Sequence, residues 1–459
     1  MKRTALLACA AVLALDGCTT VTGKPPAASV VVAPASWRAA NVQGAPMARD
    51  WWAGFGDPQL SALVEAALAR NTDVAVAAAR VQEAEAQART ARAALSPTLD
   101  AAAGGQYARQ LNALGRVTEG ASGQPQLQAA WEVDLWGRLR ALDAAGRANL
   151  QASQAGRDAT ALSVSAATAR AYVGLLSLDA QLEVTRRTLA ARAEALRVAR
   201  RRADTGYTSQ LERTQAEAEY QATARSVPAL ELAVRQQENA LRVLTGDAPG
   251  PVARGAGGIA ALAVPTVPAG LPSDLLARRP DIGQAEAQLA ASDARLAAAR
   301  TAYLPQVRLT GALGRALVEG LDPVTVWSAG GSILAPIFDA GRRAAETDAA
   351  EARRDQAAFA YRGVVLSAFA EVENALEGTD RLAAQADSVT AQRAALAEAL
   401  RHATNRYQAG YASYLDQLDA QRGLLAAELA AVQIRESQLR NAVGLYQALG
   451  GGWSTAARP

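Results

Sequence analysis

Two carboxylates three residues apart stand just beyond a glycine in Arg406-Tyr407-Gln408-Ala409-Gly410-Tyr411-Ala412-Ser413-Tyr414-Leu415-Asp416-Gln417-Leu418-Asp419. Gly410 suits a tight helix–helix turn, because it enters the left-handed region without a Cβ penalty. The spacing puts Asp416 and Asp419 on one face of the helix that follows. Repeated around a pore by several copies, they would form stacked carboxylate rings, which attract cations and narrow or gate a channel. Leu415 beside them would add an apolar constriction. The alternative for both carboxylates is ordinary solvation on an exposed helix.

Other chemistry is scarce. His402 is the only histidine, and Cys9 and Cys18 are the only cysteines. No His/Cys zinc site can be assembled from them, and any Cys-His or Ser-His arrangement would depend on His402 alone. His402 lies on a long helical stretch with no partner legible in the sequence. Gly255-Ala256-Gly257-Gly258 lacks the lysine and the strand–turn–helix setting of a phosphate loop, and reads as linker. Glu371 and Glu373 sit among arginines, where solvation or ion pairing is expected. The formal charge of +3 gives no electrostatic case for nucleic acid. No catalytic site, cofactor or metal is expected.

The elements that must carry these residues follow from composition and proline spacing. About 115 of 459 residues are alanine and only four are phenylalanine, which points to long, closely packed helices. No proline occurs between Pro125 and Pro228, nor between Pro336 and Pro459, while six of the 18 fall between Pro249 and Pro280. Proline breaks helix interiors, so the proline-free runs can hold very long helices around a linker at 247–272.

A duplication is visible as well. Ala91-Arg92-Ala93-Ala94-Leu95-Ser96-Pro97 matches Ala299-Arg300-Thr301-Ala302-Tyr303-Leu304-Pro305, and Gly206-Tyr207 with Leu211 matches Gly410-Tyr411 with Leu415. The chain therefore reads as two tandem units, 61–246 and 273–450, with a tail at 451–459. Each runs helix, β-rich section (about 98–137 and 306–339), then long helical hairpin (about 140–246 and 342–449). Leucines at 175, 182, 189 and 196, and Leu418, Leu425, Val432, Leu439 and Tyr446, are seven apart, the period of coiled-coil-like packing. Thr98–Tyr107 and Leu127–Leu135 have the ~9–10 residues that a tilted strand needs to cross an outer membrane. Their alternation is diluted by Gly104-Gly105 and Gly330-Gly331, and a soluble β-hairpin is the rival reading. Four strands cannot close a barrel, and an open edge in lipid is not tolerated, so a membrane reading forces oligomerisation.

The N-terminus sets the compartment. Met1-Lys2-Arg3 precedes an apolar stretch too short to span a bilayer, so residues 1–17 read as a signal peptide. Leu15-Asp16-Gly17-Cys18 resembles a bacterial lipobox, with Asp16 departing from its small uncharged residue. Lipidation of Cys18 is expected, ahead of an extended segment 18–60; simple cleavage leaving a free thiol is the alternative. Cys9 fits the local pattern too, but leaves too short an apolar region.

Trp51-Trp52-Ala53-Gly54-Phe55-Gly56-Asp57-Pro58-Gln59-Leu60, the Asn71–Ala84 stretch and Leu271-Pro272-Ser273-Asp274-Leu275-Leu276-Ala277-Arg278-Arg279-Pro280-Asp281-Ile282 resemble the outer-membrane factor (TolC-like) family, NodT-type efflux lipoproteins in particular. The resemblance covers about 45–452. It implies a mainly α fold with membrane β: a homotrimer whose long antiparallel helical hairpins form an α-barrel tunnel below a 12-stranded outer-membrane β-barrel, four strands per chain. It further implies outer-membrane lipid around the barrel, a periplasmic adaptor, an inner-membrane pump (proton-driven, for the NodT type) and passive export of drugs or other small molecules. Alternatives are the channel of a type I protein secretion system, or a periplasmic adaptor. By the same resemblance Asp416 and Asp419 constrict the periplasmic entrance, Tyr407 and Glu212 belong to a latch, and Gly206, Tyr207, Gly410 and Tyr411 mark the tips that meet the adaptor. The family's latch arginine falls at Ala412.

Overall fold

The computed structural model describes residues 25–38, 48–111 and 115–453; the expected signal peptide 1–17, Cys18 and the end of the tail lie outside them. Helices α1 (Pro58–Arg70) and α2 (Thr72–Ala93) lead into strands β1 (Thr98–Leu111) and β2 (Val117–Val133). Next come α3 (Arg138–Asp204), α4 (Gln210–Leu244), the short α5 (Gly258–Ala261), α6 (Pro272–Arg278) and α7 (Pro280–Thr301). Strands β3 (Gln306–Val318) and β4 (Val324–Leu334) precede α8 (Arg342–Gln408) and α9 (Tyr414–Ala448). The duplication is carried out to the residue: α2 and α7 have 22 residues each, α3 and α8 have 67, and α4 and α9 have 35. At 1.5 Å per residue the 67-residue helices are about 100 Å long.

Two compact units result. The first comprises Ala84–Leu150 and Ala285–Arg362 with the N-terminal stretch up to Val31; the second holds Val32–Glu83, Gln151–Gln284 and the chain from Gly363 onward.

In the first unit the four strands form one antiparallel sheet in the order β1-β2-β3-β4. The strands are longer than the sequence suggests, 14 residues for β1 and 17 for β2. The glycines that dilute the alternation do not end them, because the ladder runs through Gly104↔Gln124 and Gly105↔Gly123. Pro125 lies inside β2. It has no N–H to donate, and the β2–β3 pairing lapses at Gln124 and Pro125 before resuming at Gln126↔Gly314. Gly314 is required there, since a Cβ would overlap the Pro125 carbonyl and Gln126.

Register sorts the faces. Leu99, Tyr107 and Leu111 of β1 share a face with Val117, Leu127 and Trp131 of β2, with Val307, Leu309, Leu313 and Leu317 of β3, and with Trp327 and Ile333 of β4. The opposite face carries Asp100, Gln106, Gln126, Gln128, Arg308, Thr310, Ser328 and Ser332. Arg109, Glu119 and Arg315 fall on the apolar side near the strand turns, the first two pairing at 3.6 Å and Arg315 donating to the Pro323 carbonyl at 3.3 Å, and Val318, Val324, Val326 and Leu334 at strand ends or beside them fall on the polar side. One apolar and one polar face is the pattern of a membrane barrel wall.

The second unit holds both hairpin tips and the ends of both return helices. Repeat-related positions do the same work there with different side chains. Asn71 Nδ2 donates to the Leu244 carbonyl at 2.9 Å, and Arg279 Nη1 donates to the Ala448 carbonyl at 2.8 Å, so each caps the end of its own return helix. Gln237 donates to Ala171 O at 2.8 Å, and Asn441 to Ala375 O at 2.9 Å, each beside a glycine (Gly174, Gly378) that leaves room for the clamp. Arg279 also pairs with Asp281 and with Glu371, each at 2.7 Å, which gives the Arg279-Pro280-Asp281 motif its physical content. Glu373 accepts from the Arg38 N–H at 2.9 Å.

The aromatic motif is core: Trp51 stacks on Tyr446 at 5.1 Å, and Phe55 is fully buried beside them. The 255–258 stretch is not free linker. Gly255 N–H donates to Tyr172 Oη at 2.8 Å, Tyr172 donates to Asp57 Oδ2 at 2.8 Å, and α5 begins at Gly258. Pro228 lies within α4, on an exposed face where the carbonyl it frees can meet water.

Candidate functional site

The two hairpin tips are built alike. Gly206 and Gly410 have φ of 73° and 80°, and nothing stands within 4 Å of where a Cβ would be, so backbone conformation alone calls for glycine. The N–H groups of Tyr207 and Tyr411 reach back to the carbonyls of Arg202 and Arg406 at 2.9 and 2.8 Å, satisfying the last turn of each descending helix. Ser209 and Ser413 then open α4 and α9, their hydroxyls accepting from the N–H groups of Glu212 and Asp416.

From that point the tips diverge. Asp416 closes a reciprocal cap, its Oδ2 accepting from the Ser413 N–H and hydroxyl at 2.9 Å each. Its repeat counterpart Glu212 crosses to the other hairpin, where Oε2 accepts from the Tyr407 hydroxyl at 3.2 Å. Asp416 thus has a structural duty besides any ring, and the residue itself is exposed. Asp419 and Leu415 are exposed next to it, and Tyr207 and Tyr411 are among the most exposed aromatics.

Tyr407 is half-buried, 5.7 Å from the Tyr414 ring. Burial first, then the Glu212 carboxylate, hold its phenol above the ordinary range. Ala412 supplies no arginine here, but one stands at the tyrosines from the other hairpin: the Arg202 guanidinium, at the end of α3, lies 5.1 Å over the Tyr407 ring and 5.6 Å over Tyr207. Sequence comparison with a family motif in α9 does not find it, because it sits on the other hairpin.

Behind the tips Leu196, Ala199, Ala216, Tyr414 and Leu418 pack together. Deeper still, Arg192 is buried and pairs with Glu219 at 2.8 Å, and Glu219 also holds Arg422 of α9. No motif in the sequence names this cluster. Its signal was available: Arg192 falls three residues after Leu189 and four before Leu196, on an apolar helical face. His402 does have a partner, contrary to expectation: its Nε2 is 2.9 Å from Glu398, one helical turn away and exposed. Among the described residues no group of three or more His, Cys, Asp or Glu side chains is placed to hold a metal.

An amphipathic antiparallel sheet with open edges, joined in one chain to duplicated 67-residue hairpin helices, defines a membrane-channel protomer. Comparison with known proteins agrees. The family model described as outer membrane efflux protein matches residues 63–247 and 271–451, and the chain belongs to that family. It is 34% identical to the pyoverdine export outer membrane protein OpmQ of Pseudomonas aeruginosa, over 99% of this chain and 98% of that one. It is also 34% identical to the toluene efflux pump outer membrane protein TtgI of Pseudomonas putida, over 88% and 87%. The crystal structure of the Campylobacter jejuni CmeC outer membrane channel superposes with a TM-score of 0.86 at 26% identity, covering 95% of this chain and 96% of that one. The protein is the outer-membrane channel component of a tripartite efflux system, conducting substrates across the periplasm to the exterior. Such a system supplies an adaptor and an inner-membrane pump as partners.

Proposed function

We propose that three copies close one channel, anchored by a lipidated Cys18, and that its periplasmic entrance is gated at the hairpin tips by Asp416, Asp419 and Leu415. Closure by copies is favoured because β1 and β4 each have an unpaired edge, and hydrocarbon offers no partner for their N–H and carbonyl groups. The observation that carries the gate is the tip itself. Tyr407 donates across the two hairpins to Glu212, while Asp416 and Asp419 stand exposed on the neighbouring α9. Three such faces turned to a common axis would stack two carboxylate rings, with Leu415 as an apolar collar between adjacent turns. The adaptor would engage Gly206-Tyr207 and Gly410-Tyr411, and the energy for opening would come from a proton-driven inner-membrane pump.

The chain is in this reading a NodT-type lipoprotein that exports small organic molecules, as the names of OpmQ and TtgI suggest for those proteins. Planar-bilayer recording tests the gate: Asp416→Ala combined with Asp419→Ala should raise conductance and weaken cation selectivity. Conductance and selectivity both equal to the parent protein would remove these carboxylates from the gate.

A further inference from the structure

The structure assigns to Glu219 the role of a positioning residue that pins the gate-bearing helix α9 to the first hairpin, through Arg422 on one side and buried Arg192 on the other. This inference rests on the gate reading above and adds what holds the gate in place.

The geometry is specific. Glu219 lies on α4, with its side chain only 13% exposed. Arg192 of α3, 6% exposed at its side chain, approaches Glu219 Oε2 at 2.8 Å and donates to the Glu219 carbonyl at 3.0 Å and to the Thr223 hydroxyl. Arg422 of α9 donates to Oε1 through both Nε and Nη2. One carboxylate therefore serves two guanidiniums from two further helices. Arg422 follows Asp419 by three residues and Asp416 by six, so the tie acts on the same stretch of α9 that carries the carboxylates.

Repeat comparison shows that this cluster is not generic hairpin packing. At the repeat-related places the second hairpin has Leu396 for Arg192, Gly423 for Glu219 and Ala427 for Thr223, and Leu396 fills the space beside Gly423. Hairpin packing at this level is thus met by apolar contact alone. In the first hairpin the same place carries a buried charge, which costs desolvation and is tolerated only when paired. Burial is the first influence on Arg192, drawing it below its ordinary range, and Glu219 opposes it. What the charged version adds is the bond to Arg422, the cross-hairpin partner. The cluster stands behind Tyr414 and Leu418, so it resists splaying of α9 from α3 and α4 independently of the Tyr407–Glu212 bond.

The test uses Arg422, which is half-exposed, so that Arg192 and Glu219 stay paired and folding is not at issue. No cysteine follows Cys18, so spin labels on Gln210→Cys (α4) and Gln408→Cys (α8) in the full chain report the tip separation cleanly. Labelled chains are diluted with unlabelled ones, to isolate the distance within one chain. Arg422→Gln should lengthen and broaden that distance and raise bilayer open probability several-fold; Arg422→Lys should restore both. A distance distribution unchanged by Arg422→Gln would overturn the assignment. Widening by Arg422→Gln together with no effect of Asp416→Ala and Asp419→Ala on conductance would leave Glu219 in its role and refute the carboxylate gate instead.

Discussion

Replacing Tyr407 by phenylalanine removes one atom and isolates the cross-hairpin bond. The ring would remain 5.7 Å from Tyr414 and under the Arg202 guanidinium, so packing is kept. What disappears is the 3.2 Å donation to Glu212. Glu212 is only partly buried and can turn to water, so no stranded charge adds a penalty. The loss is then the net value of one hydrogen bond, about 1 kcal/mol, and not the larger cost of an unsatisfied buried group. If three protomers open together, the loss sums to about 3 kcal/mol, on the order of a 100-fold shift toward the open state. If each tip opens alone, the shift is roughly fivefold per protomer. Single-channel recording of Tyr407→Phe measures the open probability, and the size of the change separates concerted from independent opening. An open probability equal to that of the parent would show that the bond does no latching, whatever its geometry.

The pH response follows from the same residue. Because the folded protein holds the Tyr407 phenol above its ordinary range, the folded state keeps the proton that the released state loses. The latch should therefore be intact through neutral pH and weaken only as pH rises past about 10, where a phenolate would also repel Glu212; an opening step near pH 7 would contradict this. Away from the gate, Gly255→Ala would drive a Cβ into the Asp57 carboxylate that Tyr172 and the α1 N-terminus share. A destabilisation of about 1–3 kcal/mol is expected, seen as a lower denaturation midpoint in detergent with conductance of the surviving channels unchanged.

Much of the architecture was legible in the chain because it rests on local rules. Proline spacing, heptad leucines and the duplicated Gly-Tyr tips are one-dimensional signals; long helices fill the proline-poor runs and a glycine turn stands at each tip, although Pro228 lies within α4 and α5 lies within the expected linker. Strand length was less legible. Gly104-Gly105 dilute the alternation and proline cannot donate to a ladder, yet cross-strand pairing carries β1 and β2 through Gly104, Gly105 and Pro125. The site was half visible. Asp416, Asp419, Tyr407 and Glu212 follow from a motif, whereas Arg202 and the Arg192–Glu219–Arg422 cluster join residues that are distant in sequence.

The sequence by itself determined the repeat, the long proline-poor runs, the turn glycines and the poverty of catalytic groups, since those depend on residue type and spacing along one chain. Tertiary structure decided which faces are shared. Strand register gathered scattered leucines and aromatics onto one side of the sheet, a property that a slip of one residue would invert. Hairpin packing made equivalent acids do different work, Asp416 capping its own helix and Glu212 reaching Tyr407 on the other hairpin. Nothing in the spacing of either acid distinguishes them. The difference arises from what the opposite hairpin presents.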